Sequence, residues 1–336
     1  MRFSILTSLA VLLSLGACSE TTEPSSEQVS ASKTGLNSRF TCEVAGYYVQ
    51  PTAVNAAGEI VGVSDPDGFL CDNRRGVSIA LGSLSGPSGA TGPNAINASG
   101  QVVGWSLTTD EQSHAFVWNK GVMTDLGTLP GDDYSNAKGI SDAGQVVGES
   151  TKLEGDLPPT SRAFLWKKGV MVDLGTLPGM TWGVANAINA RGQVVGASGT
   201  GWPGSDAHAF LWENGKMTQL QSLGGAGSRA TSINAAGQIA GAAETSTGEW
   251  HAVVWRAGRV VDLGTGIALA INNAGIVVGT DAGSAVFWRK GVKGVLAQAE
   301  PDIPLYYAAT GINSSGMVVG YEASETNTSA GVWQIK

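Results

Sequence analysis

Apolar residues in this chain fall in short runs separated by small and turn-forming residues, and the runs recur in a fixed order. A decapeptide appears seven times: AVNAAGEIVG (53–62), AINASGQVVG (95–104), GISDAGQVVG (139–148), AINARGQVVG (187–196), SINAAGQIAG (232–241), AINNAGIVVG (270–279) and GINSSGMVVG (311–320). The copies start 42, 44, 48, 45, 38 and 41 residues apart, the period of a repeat architecture. The Asn-x-x-Gly core has tight-turn chemistry, with Asn to bond the backbone and Gly where positive φ is needed. Each decapeptide therefore reads as a hairpin: a short strand, a turn, and a second strand such as Gln101–Trp105. A third run follows in the form HAFVW (114–118), RAFLW (162–166), HAFLW (208–212), HAVVW (251–255), SAVFW (284–288) and SAGVW (329–333). Five of these lead into a three-residue turn ending in Gly, and a fourth run such as VMTDLG (122–127) closes the unit.

Four strands in about 43 residues, seven times over, match the blade of a β-propeller. The fold class expected is all-β: a seven-bladed propeller of four-stranded antiparallel blades. The last copy ends after its third strand, so residues 37–45 are expected to supply the outer strand of blade seven and close the ring. The segments HAFVWNKGVMTDLGTLPG (114–131) and RAFLWKKGVMVDLGTLPG (162–179) resemble the HAF repeat family of bacterial extracellular and envelope proteins. The resemblance covers nearly all of 47–336 and implies a secreted, propeller-like repeat protein; it carries no catalytic residues to transfer. Blade one departs from the pattern, with Cys71 where the others have Trp, and the last two blades lack Asp-Leu-Gly.

The N-terminus reads as a lipoprotein signal peptide (1–17): Arg2, an apolar run from Ile5 to Leu15, then Leu15-Gly16-Ala17-Cys18 with lipobox spacing. Lipidation of Cys18 would satisfy the two-chain requirement for stable anchoring. Ser19 resembles an outer-membrane sorting signal, so the expected address is the bacterial cell envelope, at the outer membrane. Residues 18–35 form a Ser/Thr/Glu-rich tether of roughly 25 Å r.m.s. span, and 36–336 form the propeller. With Cys18 committed to lipid, Cys42 and Cys71 remain as a possible disulfide, two free thiols being the other reading. A bridge there would staple the ring closure, worth roughly 3–4 kcal/mol by chain entropy.

The formal charge of −8 argues against nucleic acid. His114, His208 and His251 occupy equivalent repeat positions on different blades, as do Asp125, Asp173 and Asp262. Neither set can converge as a metal site, a nucleophile–base pair or a glycosidase dyad, so structural bonding is expected, His to the neighbouring blade. No metal or cofactor is expected; Ca²⁺ at Asp65-Pro66-Asp67-Gly68 is weighed against plain solvated charge. The repeat tryptophans, including Trp118, Trp166 and Trp255, are expected to pack between blades.

In such a blade the 1–2 and 3–4 turns share one end of the ring, and the 2–3 loops and linkers share the other. The first set is uniform and rich in Lys and Arg; the second is variable and acidic. A tether leaving from the basic side would turn that face toward anionic lipid. Variable loops on a uniform scaffold mark the working face. Trp182, Trp202, Trp250, Tyr134 and Trp105 are its candidate ligand-binding residues, read as exposed aromatics for stacking on sugar or docking a protein. The function expected is non-catalytic recognition of a glycan or an envelope protein by a monomer. The alternatives are a polysaccharide lyase or glycosidase, and a scaffold subunit of an envelope assembly.

Overall fold

The computed structural model describes residues 40–44, 48–86, 89–153, 160–200, 206–298, 305–324 and 327–335. The signal peptide and tether, and with them Cys18, lie outside the described residues. The described chain is all-β: seven antiparallel sheets, each with its strands in chain order, form the seven blades of a propeller. Blade one runs Val49–Val54, Glu59–Ser64, Asp67–Asp72 and Val77–Ala80. Later blades begin at Thr91, Tyr134, Trp182, Gly224, Ile267 and Tyr306.

The Asn-x-x-Gly turn forms as its chemistry dictates. The Asn55 side-chain oxygen accepts from the Ala57 and Glu59 N–H groups at 3.0 Å each, and Gly58 sits at φ +81°.

One feature was not legible as a strand pattern: every inner strand carries a one-residue bulge. The extra residues are Thr52, Asn94, Lys138, Asn186, Thr231, Leu269 and Thr310. The bulge pushes the inner strand's backbone against the second strand, where the Gly closing the decapeptide stands. A Cβ on Gly148 would collide with the Asn136 carbonyl oxygen, and one on Gly104 with that of Gly92. That crowding is why the apolar run ends on Gly.

Each repeat Trp packs against the preceding blade. Trp118 is clustered with Val61 and Leu81 of blade one, and Trp255 with Val195 and Ala209 of blade four. Trp255 also donates its indole N–H to the Gln221 carbonyl at 2.7 Å. At the seam between blades seven and one this Trp is replaced by Cys71, which forms a disulfide with Cys42, Cα to Cα 6.1 Å. The two cysteines share a buried cluster with Phe69 of blade one and Val319 and Val332 of blade seven.

Among the described residues blade seven has three strands, Tyr306–Ile312, Met317–Ala323 and Thr328–Gln334. The closing segment is described from Phe40 to Val44, and both of those side chains pack into the same seven-to-one cluster. Thr41 donates from N to the Asn73 side chain at 2.8 Å and from Oγ1 to the Asn73 carbonyl at 2.6 Å. The segment is thus tied to blade one while covering the seam. Tyr48 then forms a parallel bridge with Thr328.

Candidate functional site

The two ends of the ring are built differently. At the uniform end the turn asparagines form a belt, each handing a hydrogen bond to the next blade. Asn55 Nδ2 donates to the Asn97 carbonyl at 3.1 Å, and Asn97 to that of Ser141 at 3.2 Å. Asn189, Asn234, Asn272 and Asn313 continue the pattern, and Asn313 reaches Asn55 at 2.9 Å to close the circle. The bulged side chains form a second belt below it, as with Thr52 to the Pro93 carbonyl at 2.9 Å and Thr310 to that of Pro51 at 2.9 Å. Both belts are interrupted at the seam from blade three to blade four, and the second is also broken in blade six, where the bulged residue is Leu269. Ser141 and Lys138 of blade three make no such bond to blade four among the described residues, and Lys138 pairs instead with Glu149 at 3.2 Å. Inside the belt lies an axial depression of about 320 Å³, lined by one aliphatic residue from each blade, Val54 and Ile96 among them.

At the variable end the candidate aromatics are strand residues rather than loop tips. Trp182 opens the inner strand of blade four and is only 7% exposed, packed with Ala197 and Ala207. It pairs across the sheet with Gly199, whose missing side chain leaves the space its indole fills. Trp105 lies within its second strand, half-buried, over Gly92 in the same manner. Tyr134 opens the inner strand of blade three, and Trp250 the third strand of blade five, both half-buried. Trp202 lies outside the described residues.

A residue the sequence reading passed over joins this end. The Arg229 guanidinium lies 4.6 Å from the Trp250 ring centroid. Equivalent inner-strand positions hold Gln50, Gly92, Asn136, Val184, Ile267 and Ala308, so Arg229 is the single cation in that register. It keeps an exposed edge, yet the protein around its head lowers its pKa by desolvation. Its irregular register position among otherwise small or neutral residues was the available signal. Tyr321 is raised by burial and by its neighbour Tyr48, and Tyr48 is raised by burial while its hydroxyl donates to Gln50 Oε1 at 2.7 Å.

The repeated His and Asp residues meet each other within one blade, which corrects the expectation that His bonds the neighbouring blade. His114 Nδ1 lies 2.9 Å from Asp125 Oδ2, and His251 Nδ1 2.9 Å from Asp262 Oδ1. In the hairpin of the third and fourth strands Asp125 stands opposite Phe116 and Asp262 opposite Val253, so each Asp meets, diagonally across the hairpin, the His two residues before its partner. In blade three Arg162 takes the His place, contacting Asp173 at 3.4 Å and Asp132 at 2.8 Å, and the bond to Asp132 is the main cause raising its pKa. Blade four has Gln219 where the Asp would be, and His208 Nδ1 is buried without a partner among the described residues. The three His stand on three blades and are not brought together. Asp65 and Pro66 form the two-residue turn between the second and third strands of blade one. Among the described residues no group of three or more His, Cys, Asp or Glu is placed to hold a metal ion.

No protein-family model matches the chain, and no curated protein matches it significantly. Solved structures do. A chain of the mitotic checkpoint complex matches at 13% identity and a TM-score of 0.56, over 98% of this chain and 99% of that one. The β-propeller domain of the Trilobed protease from Pyrococcus furiosus, which has an open velcro topology, matches at 11% identity and a TM-score of 0.55, over 86% and 96%. The acylaminoacyl peptidase of Pyrococcus horikoshii matches at 11% identity and a TM-score of 0.54, over 85% of this chain, which spans about half (51%) of that one. At such identities the likeness is one of fold alone.

Proposed function

We propose that the protein is a non-catalytic recognition protein of the bacterial cell envelope, anchored through lipid on Cys18 and presenting its variable end to a glycan or an envelope protein. The observation that carries the reading is the division between the two ends. One end repeats a single turn backbone around the ring, with the same asparagine hydrogen bonds in six of the seven blades. The other varies from blade to blade and holds the half-buried Trp105, Trp250 and Tyr134 with the Arg229 cation. Indole faces and a guanidinium suit sugar rings and their substituents, or the side chains of a protein partner. His114 and His251 are consumed by Asp125 and Asp262 within their blades, and Asp173 by Arg162, which leaves these residues to the scaffold.

The test is a glycan-binding screen of the chain carrying Cys18→Ser, beside a Trp105→Ala, Trp250→Ala double variant whose fold is checked by thermal melting. Binding by the parent that falls at least about tenfold in a folded double variant, the loss expected for two aromatic anchors, supports glycan recognition at this end. Glycan binding that the double variant retains in full refutes this end as its site. Absence of glycan binding in the parent shifts the reading to a protein partner, to be sought by crosslinking in intact envelopes.

A further inference from the structure

The turns between third and fourth strands are two-residue, not the three-residue turns expected, with both residues in the left-handed region: Lys120 and Gly121 at φ +49° and +89°, Lys168 and Gly169 at +52° and +83°, Lys290 and Gly291 at +52° and +81°. That geometry puts each Lys, exposed, at the tip of its turn. The next residue starts the short outer strand and has no further strand to cover it. It is Val in four blades, and Val77, Val122, Val170 and Val292 are 55, 65, 61 and 70% exposed. Cation, Gly, Val is thus displayed by blades six, one, two and three, which flank blade seven along one continuous arc.

Taken together, the 1–2 and 3–4 turns carry eleven Lys and Arg against four Asp and Glu, a net +7 in a chain of formal charge −8. The eleven cations are exposed. The four carboxylates are engaged locally: Glu59 accepts from Asn55 at 2.6 Å, Asp142 from the Ala98 N–H at 3.0 Å, Glu213 from Gln193 at 2.9 Å, and Asp72 from the Arg74 N–H at 3.1 Å. A broad face of exposed cations in excess over its carboxylates, with apolar side chains between them, is complementary to a surface that is anionic and apolar just beneath. We propose that the uniform end of the ring docks directly on an anionic lipid bilayer, cations on the headgroups and the valines of the 3–4 turns at the acyl boundary. Nucleic acid would use the charge but gain nothing from exposed Val, so the valines favour the bilayer. The proposal stands on this face alone, whether or not Cys18 is lipidated and whatever the opposite end recognises.

The test is co-sedimentation of the full chain carrying Cys18→Ser with phosphatidylcholine vesicles, with and without about one-third phosphatidylglycerol. The apolar segment 5–15 is present in every arm, so the readings compare lipid charges and variants. At roughly a tenfold gain for every one to two cations near the surface, binding should rise at least about tenfold on the anionic vesicles and fall with salt. The triple variant Lys120→Glu, Lys168→Glu, Lys290→Glu should lose that gain, and Lys152→Glu on the opposite end should keep it. Val122→Ser, Val170→Ser, Val292→Ser should weaken anionic-vesicle binding about three- to tenfold at unchanged charge, by the loss of apolar burial. Equal binding to both vesicles, or no effect of the Lys triple, overturns the proposal. Insensitivity to the Val triple, with tight binding to duplex DNA, would replace the bilayer by a polyanion.

Discussion

Ser141 is the single interruption in the asparagine belt, and restoring it tests whether the belt holds the ring together. The backbone of its turn is the same as in the other blades: Ser141 N donates to the Gln145 carbonyl at 2.9 Å and Gly144 N to the Ser141 carbonyl at 2.9 Å, as Asn97 and Gly100 do in theirs at 3.0 and 3.1 Å. Only the side chain is short. Asn at 141 would donate to the Asn189 carbonyl across the seam and accept from the Ala143 N–H, two bonds that Ser cannot make. Ser141 Oγ already accepts from the Gln145 N–H at 3.1 Å, so that bond is not a gain. At about 0.5–1.5 kcal/mol net per buried hydrogen bond, less the ordering of the longer side chain, Ser141→Asn should add roughly 1–2 kcal/mol. A propeller of about 290 residues, at about 2 cal/mol/K per residue, converts each kcal/mol into roughly 1.6 °C, so Tm should rise by about 2–3 °C. The reciprocal variant Asn97→Ser should lose a similar amount. Hydrogen exchange should report the gain in the inner strand Trp182–Ile188. A Tm unchanged in Ser141→Asn while Asn97→Ser falls would refute the reasoning, because the seam from blade three to four would then be closed by something other than this belt.

Reduction of the Cys42–Cys71 disulfide, a separation of 29 residues, should cost roughly 3–4 kcal/mol in the chain-entropy model, or about 5–6 °C in a melt with and without reductant; no shift would mean the seam between blades seven and one is held by packing alone. Gln219→Asp should give His208 the carboxylate that its counterparts have, and because the pair is partly exposed the gain should be below about 1 kcal/mol, read as a Tm rise of about 1 °C and an ordered His208 ring proton by NMR. Gly148→Ala should drive a methyl into the Asn136 carbonyl and cost about 3 kcal/mol, seen as a Tm loss near 5 °C.

The blade count and phase were legible because a propeller writes each blade as one sequence repeat, and Asn-x-x-Gly turns and inter-blade tryptophans each recur in six of the seven copies. Cys71 was legible by its departure: it stands at a Trp position, and the seam it abandons is the one its disulfide covers. The aromatics were misplaced because strand ends depend on what crosses from the next strand. Trp182 looks like a linker residue until Gly199 opposite it opens a slot for the indole. The bulges were hidden since a one-residue insertion leaves the alternation on each side intact. Their sequence mark is the Gly facing them, which on sequence alone only ends an apolar run. The His partner was missed for a related reason, since His114 and Asp125 are joined by hairpin register rather than by repeat symmetry.

The seam between blades three and four lacks both latches, yet the ring is no less complete there, because seams are held at two radii and this one keeps the outer layer. Inner side chains tie carbonyls near the axis, while farther out a Trp from one blade fills a hollow in the one before it. At this seam Trp212 packs on Val147 and Ala163, and Phe210 is fully buried among them. The apolar layer carries the larger share of the energy, since burying one such ring stabilises by about 2–3 kcal/mol against about 1 for a hydrogen bond. The belts therefore act chiefly on geometry: they fix neighbouring inner strands at one spacing, so that variable loops at the far end stand on a rigid frame. Blade three, free of both belts toward blade four, is where that frame can give. Tyr134 opens its inner strand and Trp182 opens the inner strand across the seam, so loosening there would be felt first at the variable end.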